Sequence, residues 1–129
     1  GNKAAIGGSR LLSRKYRLKK KSDIQQLFNS GKSVANPYLI MYHRKRENVG
    51  EPRIAFAVSK KLGKAVVRNL IKRRLREGVR PYLNQLAKDC DIIFVARAKI
   101  KGISQVDVER NIVCLLRKAN LLSKTDSIN

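Results

Sequence analysis

The chain has no tryptophan, one histidine, two cysteines and nine acidic residues among 129. Each shortage closes off a class of function. Catalysis by side chains needs convergent acids, bases or nucleophiles, and the lone His43 stands in an alternating stretch that reads as a simple strand position. The acids are isolated except for Asp89 and Asp91 around Cys90. Nothing else in the sequence completes a metal site with them, so they read as solvated residues at a loop end, and no metal ligand is expected. Cys90 and Cys114 lie far apart without CxxC or Cys/His spacing, a pattern that predicts two buried thiols in a reducing cytosol. Gly63 followed by Lys64 is not a Walker phosphate loop. No apolar run approaches the roughly 18 residues of a membrane span, and the first residues lack the apolar core of a secretory signal. A soluble, cytoplasmic binding protein is the expectation.

What the chain has in excess is positive charge: Lys and Arg number 30, and the formal net charge is +21. The excess is spread along the chain, so the whole particle attracts nucleic acid with a steep salt dependence. Hydrophobic residues still make up 43%, enough to exclude a disordered basic tail. The length supports one domain around one core.

Charge is densest from Ser59 to Arg80, SKKLGKAVVRNLIKRRLREGVR, where nine cations face the single acid Glu77. On a helix starting near Lys64, Val67, Leu70, Ile71, Leu75 and Val79 form one apolar stripe. Lys64, Arg68, Lys72, Arg76 and Arg80 step by four on the other side, with Asn69 and Arg73 beside them. A like-charged stripe repels itself by a few tenths of a kcal/mol per pair, which points to a polyanionic partner. A basic run also fits a solvated face, a localisation signal or a membrane-surface helix. The apolar stripe lacks the aromatics that a membrane helix uses, and the density of Arg suits phosphate, so nucleic acid is the favoured partner.

Around this stretch the pattern predicts a small α+β fold. Residues 1–13 read as a mobile extension, residues 14–122 as one domain and residues 123–129 as a frayed tail. After the basic knot Arg14 to Lys21 comes a short helix, N-capped by Ser22, with Ile24, Leu27 and Phe28 on one face and Gly31 as its stop. Pro37 interrupts an extended piece ahead of a strand from Tyr38 to Arg44, which places Tyr38, Ile40, Tyr42 and Arg44 on one face and Leu39, Met41 and His43 on the other. Arg53 to Ser59 alternates, with Ile54, Phe56 and Val58 toward the core and small residues opposite, leaving room for a ligand or a packed helix. Pro81 breaks or restarts the basic helix, Cys90 to Arg97 is the most apolar strand, and Gln105 to Leu122 is a final helix burying Val106, Val108, Ile112, Val113, Leu115 and Leu116. The order is helix, two or three strands, helix, strand, helix, giving about four strands and three packed helices.

Three segments in this order carry a resemblance: RLKKKSDIQQLFNSGKSVAN from Arg17 to Asn36, AVSKKLGKAVVRNLIKRRLRE from Ala57 to Glu77, and DIIFVAR from Asp91 to Arg97. From about Tyr16 to Lys124 the chain resembles the protein subunit of bacterial ribonuclease P. The resemblance implies a partner for a large catalytic RNA whose complex removes the 5′ leader from precursor tRNA. The RNA would hold the magnesium ions, and the protein alone would not cleave. It also implies a left-handed strand-helix-strand crossover containing the basic helix, against the usual handedness. Carried over residue by residue, Arg68, Asn69, Lys72, Arg73 and Arg76, with Lys60, Lys61 and Lys64, would contact the catalytic RNA. Phe28, Ile40, Tyr42 and Ala57, with Arg68 and Lys72 at the edge, would form the leader cleft. The third position of the family's arginine-asparagine-arginine motif is Leu70, expected to pack inward. Ile24 and Leu122 stand where relatives carry aromatics, so leader stacking would be weaker or differently placed. From charge alone, a ribosomal or general RNA binder and a DNA-binding module remain as alternatives.

Overall fold

The computed structural model describes residues 11–47 and 50–123. Helix α1, Lys21–Ser30, is followed by strands β1, Lys32–Ala35, β2, Leu39–Lys45, and β3, Arg53–Ala57. Helix α2, Ala65–Val79, leads through a 3₁₀ segment, Arg80–Gln85, to β4, Cys90–Ala96, and then α3, Gln105–Lys118. The strands form one sheet in the order β1-β2-β4-β3. β4 runs antiparallel to β2 and parallel to β3, so the sheet is mixed and α2 lies in the connection between its parallel pair. The expected α+β class, with four strands and three helices, is met.

Period-two alternation gives the sheet two faces. Leu39, Met41, Ile54, Ile92 and Phe94 point to one side, where α2 and α3 bring Ile71, Leu75, Val79, Val108, Ile112, Leu115 and Leu116 into the main core. Phe56 stacks on Phe94 there at 6.1 Å between ring centroids. On the other side a smaller cluster forms from Leu18, Leu27 and Ile93, with Ile24, Tyr42, Ala55, Ala57 and Val95 around it. α1 lays Ile24 and Leu27 over β2 and β4, while the small residues Ala55 and Ala57 of β3 border that cluster and Ala55 also lines an open hollow.

Several local expectations are corrected. Lys20, not Ser22, occupies the N-cap of α1 and makes no side-chain cap. Gly31 does end α1, in an extended conformation; a Cβ there would sit 2.5 Å from the Leu27 carbonyl oxygen, so close approach is what requires glycine. At Pro37 the chain bends around Asn36, whose Oδ1 accepts from the Tyr38 and Leu39 amides at 2.9 Å. α3 stops at Lys118 because Asn120 turns left-handed, at φ 60°, and the Leu121 amide closes back on the Leu116 carbonyl. Val106 is 63% exposed, since α3 docks through Val108, Ile112, Leu115 and Leu116 and Val106 lies off that face, although Gln105 beside it donates to the Arg74 carbonyl of α2. Cys114 is exposed on the same helix, whereas Cys90 is buried as expected.

Leu12 is buried in the main core, so the packed domain takes in part of the expected 1–13 extension. Residues 1–10 and the tail beyond Ser123 lie outside the described residues.

Candidate nucleic-acid interface

Connection geometry sets where the cations of α2 stand. After β3, Lys60–Leu62 forms a 3₁₀ turn fastened by Ser59, whose Oγ accepts from the Lys61 amide at 3.0 Å. Gly63 follows at φ 148°, and a Cβ on it would meet Val67 Cβ at 2.9 Å, so the sharp entry into α2 demands glycine. Arg68 then reaches back, its Nε donating to the Gly63 carbonyl at 3.1 Å, which braces the first turn of the helix.

α2 docks through Ile71, Leu75, Gly78 and Val79, and its flanks diverge in character. Arg68, Lys72 and Arg76 are half-buried on one flank, while Asn69, Arg73, Lys64, Lys60 and Lys61 are exposed. Leu70 and Arg74 lie on the other flank, where Arg74 Nη1 donates to the Ile103 carbonyl at 2.8 Å. Leu70 does not pack inward: it is 40% exposed and lines an apolar hollow of about 260 Å³ with Val67, Ile71 and Ile100. Its angular position on the helix falls beside the contact with α3 instead of within it.

The cleft residues divide as follows. Phe28 on α1 and Tyr42 on β2 meet edge to face at 4.8 Å between centroids and 71° between planes. Phe28 is exposed, and Ile40, Tyr42 and Ala57 are half-buried on the α1 face of the sheet. A second hollow, about 350 Å³, joins this face to α2: Ile24, Ala55, Lys72 and Arg76 line it together with Arg17 and Lys19. The structure thus brings Lys72 and Arg76 beside residues packed in the small cluster that includes Tyr42 and Ala57. Leu122 belongs elsewhere, packed on the main core and bridged to Leu86.

Two features escaped the sequence reading. Arg17 and Lys19 share the hollow with α2, and the only signal for them was the basic knot in which they stand. Asp91 is buried rather than solvated: its Oδ1 accepts from Arg46 Nη1 and Arg53 Nε, and its Oδ2 from Arg53 Nη2, each at 2.9 Å. Hydrogen bonding to Asp91, more than any other influence, holds the Arg53 guanidinium above its ordinary pKa. Asp89 sits before the strand at φ 65° and accepts from the Gly50 amide. Both acids therefore serve the β2-to-β4 corner. Among the described residues no three His, Cys, Asp or Glu side chains gather as a metal cluster, and no helix is long and apolar enough to cross a membrane.

A family model described as Ribonuclease P matches residues 12–120. The chain belongs to the ribonuclease P protein family. It is 34% identical over 113 residues to the ribonuclease P protein component of Limosilactobacillus reuteri, covering 88% of this chain and 97% of the relative. Against the Staphylococcus epidermidis component the identity is 37% over 114 residues, with the same coverage. The ribonuclease P protein of Staphylococcus aureus superposes with a TM-score of 0.77 at 33% identity, over 84% of this chain and 98% of that one. The Thermotoga maritima ribonuclease P protein gives 0.72 at 30% identity, over 79% and 96%. The mixed sheet, the basic helix and the main core up to Leu116 fall within the matched span, and Leu121 of the core lies just beyond it.

Proposed function

We propose that this protein is the RNA-binding subunit of a bacterial ribonuclease P in the cytoplasm. With a catalytic RNA that holds the magnesium ions, it removes the 5′ leader from precursor tRNA. The observation that carries this reading is the continuity between two unlike surfaces. The cationic flank of α2 adjoins the α1 face of the sheet, so one strand of RNA can meet phosphate-binding and base-stacking groups together.

In this reading Arg68, Asn69, Lys72, Arg73 and Arg76, with Lys60, Lys61 and Lys64 on the preceding turn, face the catalytic RNA. Phe28, Ile40, Tyr42 and Ala57 receive the single-stranded leader, with Arg68 and Lys72 at the rim. Arg68 is preset for the task because its brace to Gly63 limits the rotamers it must give up on binding. Phe28 and Tyr42 hold each other edge to face, leaving ring surface for a base at little further entropic cost.

The test is cleavage of precursor tRNA at low magnesium by a matched bacterial catalytic RNA, with and without this protein. Correct 5′ maturation should appear only when both are present, and the protein alone should leave the substrate intact. Cleavage by the RNA that is indifferent to added protein would refute the proposal in favour of a general RNA binder.

A further inference from the structure

The apolar hollow beside Leu70 opens to solvent between fastened walls. Val67, Leu70 and Ile71 of α2 form one wall, and Ile100 and Val108, from the turn before α3 and from α3 itself, form the other. Three bonds hold the walls in place. Arg74 Nη1 donates to the Ile103 carbonyl at 2.8 Å, and the Arg74 carbonyl accepts from Gln105 Nε2, also at 2.8 Å. Lys101 Nζ donates to the Leu62 carbonyl at 2.9 Å, tying the turn before α3 to the turn before α2. A hollow set in advance has less to order when a ligand enters it.

Apolar surface continues beyond the mouth. Val66, one turn before Leu70 on α2, is 80% exposed, and Val106 in the first turn of α3 is 63% exposed. With Leu70 they make three of the five large hydrophobic side chains exposed among the described residues, a cluster and not a scatter. The rim is cationic. Arg74 and Lys101 border the hollow, and neither pairs with an acid among the described residues. The two acids of α3 are engaged elsewhere, Asp107 with Arg110 and Glu109 with Tyr82.

Shape and charge narrow the occupant. A cavity of about 150 Å³ takes a benzene molecule, so the hollow of about 260 Å³ seats one leucine or phenylalanine side chain and part of a neighbour. Unstacked nucleobases favour aromatic platforms, and this lining has none. A second copy would bring its own charge of +21 and the same cationic rim. We propose that the hollow docks a partner protein through an acidic amphipathic helix. Its apolar anchors fill the hollow and cover Val66 and Val106, and its Asp or Glu side chains stand beside Arg74 and Lys101. Arg68, Lys72 and Arg76 lie on the opposite flank of α2, so the helix holds RNA on one side and the partner on the other. This goes beyond the ribonuclease P reading and does not depend on it.

The experiment titrates the intact protein, with isotope-labelled Ile, Leu and Val methyl groups, with a synthetic glutamate-rich peptide carrying leucines at helical three- and four-residue spacing. Potassium chloride is kept at about 0.15 M, where exposed charges more than about 8 Å apart are largely screened. Saturable shifts are expected at the methyls of Val66, Val67, Leu70 and Ile100, and none at Ile24 and Val95 of the small cluster. Changing the peptide's leucines to alanine should weaken binding about tenfold, and so should Leu70→Gln. Leu70 is exposed, so that variant should keep the parent's thermal midpoint. Leu70→Arg should also weaken binding although it adds a positive charge, whereas Arg110→Gln on the outer side of α3 should leave it unchanged. A peptide bound more tightly by Leu70→Arg, or as well without its leucines, would be held by charge alone and would overturn the docking site. An oligouridylate moving the same methyls where the peptide does not would give the hollow to a nucleobase. Shifts that grow with protein concentration in the absence of peptide would give it to a second copy. Either result overturns the proposal. The titration contains no catalytic RNA, so its failure would leave the ribonuclease P reading standing, and failed cleavage rescue would leave the docking site standing.

Discussion

Asp91 is the one buried acid among the described residues of a chain with net charge +21, and replacing it by asparagine tests how the sheet corner is held. Its two oxygens accept three hydrogen bonds from Arg46 and Arg53, all at 2.9 Å. A carboxamide in its place would keep one acceptor, lose the charge and turn an N–H donor toward a guanidinium. Removing one partner of a buried ion pair costs about 3–5 kcal/mol. Here the side chains of Arg46 and Arg53 retain 16% and 30% of their exposure, so water partly resolvates them. Arg53 also keeps Asp23 at 3.3 Å. The expected loss for Asp91→Asn is therefore about 2–3 kcal/mol, or roughly 6–12 °C in thermal midpoint for a domain of this size. Urea unfolding at pH 7 measures it, with an unchanged m-value showing that the denatured state is not the cause. Arg110→Gln, which removes a pair whose arginine is 75% exposed, serves as the reference and should stay within about 0.5 kcal/mol. A loss for Asp91→Asn as small as that of the reference would refute the ion-pair account of the corner.

Arg68→Ala and Lys72→Ala should each weaken binding to the catalytic RNA and lower its salt slope by about one; filter binding across a chloride series reads this, and unchanged slopes would remove them from the phosphate contacts. Tyr42→Ala should reduce the preference for leader-bearing over mature tRNA by about 1–3 kcal/mol, because it removes a stacking face and frees Phe28 from its edge-to-face partner. An unchanged preference would take Tyr42 out of the cleft. Burial, with Asp91 adding to it, pushes the Cys90 thiol up to about 11, so Cys90 carries almost no thiolate at pH 8. Iodoacetamide at that pH should label exposed Cys114 in the native protein and Cys90 only after unfolding; rapid native labelling of both would show the β4 end to be open.

Local periodicity alone placed the three helices, the alternating strands and the cationic stripe of α2, because each is written within a few turns or pleats of chain. The motif segments carried the family. Strand order was different in kind. β4 inserts between β2 and β3, and nothing near Cys90 states that its neighbours will be Leu39–Lys45 and Arg53–Ala57. The fate of Asp91 follows from that insertion, since Arg46 and Arg53 reach it only once the strands are paired. Leu70, Val106 and Cys114 show the same limit on helices: an apolar residue off the centre of the stripe is buried only if a partner covers it, and none of the described elements does. The hollow beside Arg17 and Lys72 needs an extended segment, a sheet edge and a helix flank at once. A composition of +21 pointed to a polyanionic partner, but only tertiary packing decided that Arg17, Lys19, Lys72 and Arg76 would line one hollow.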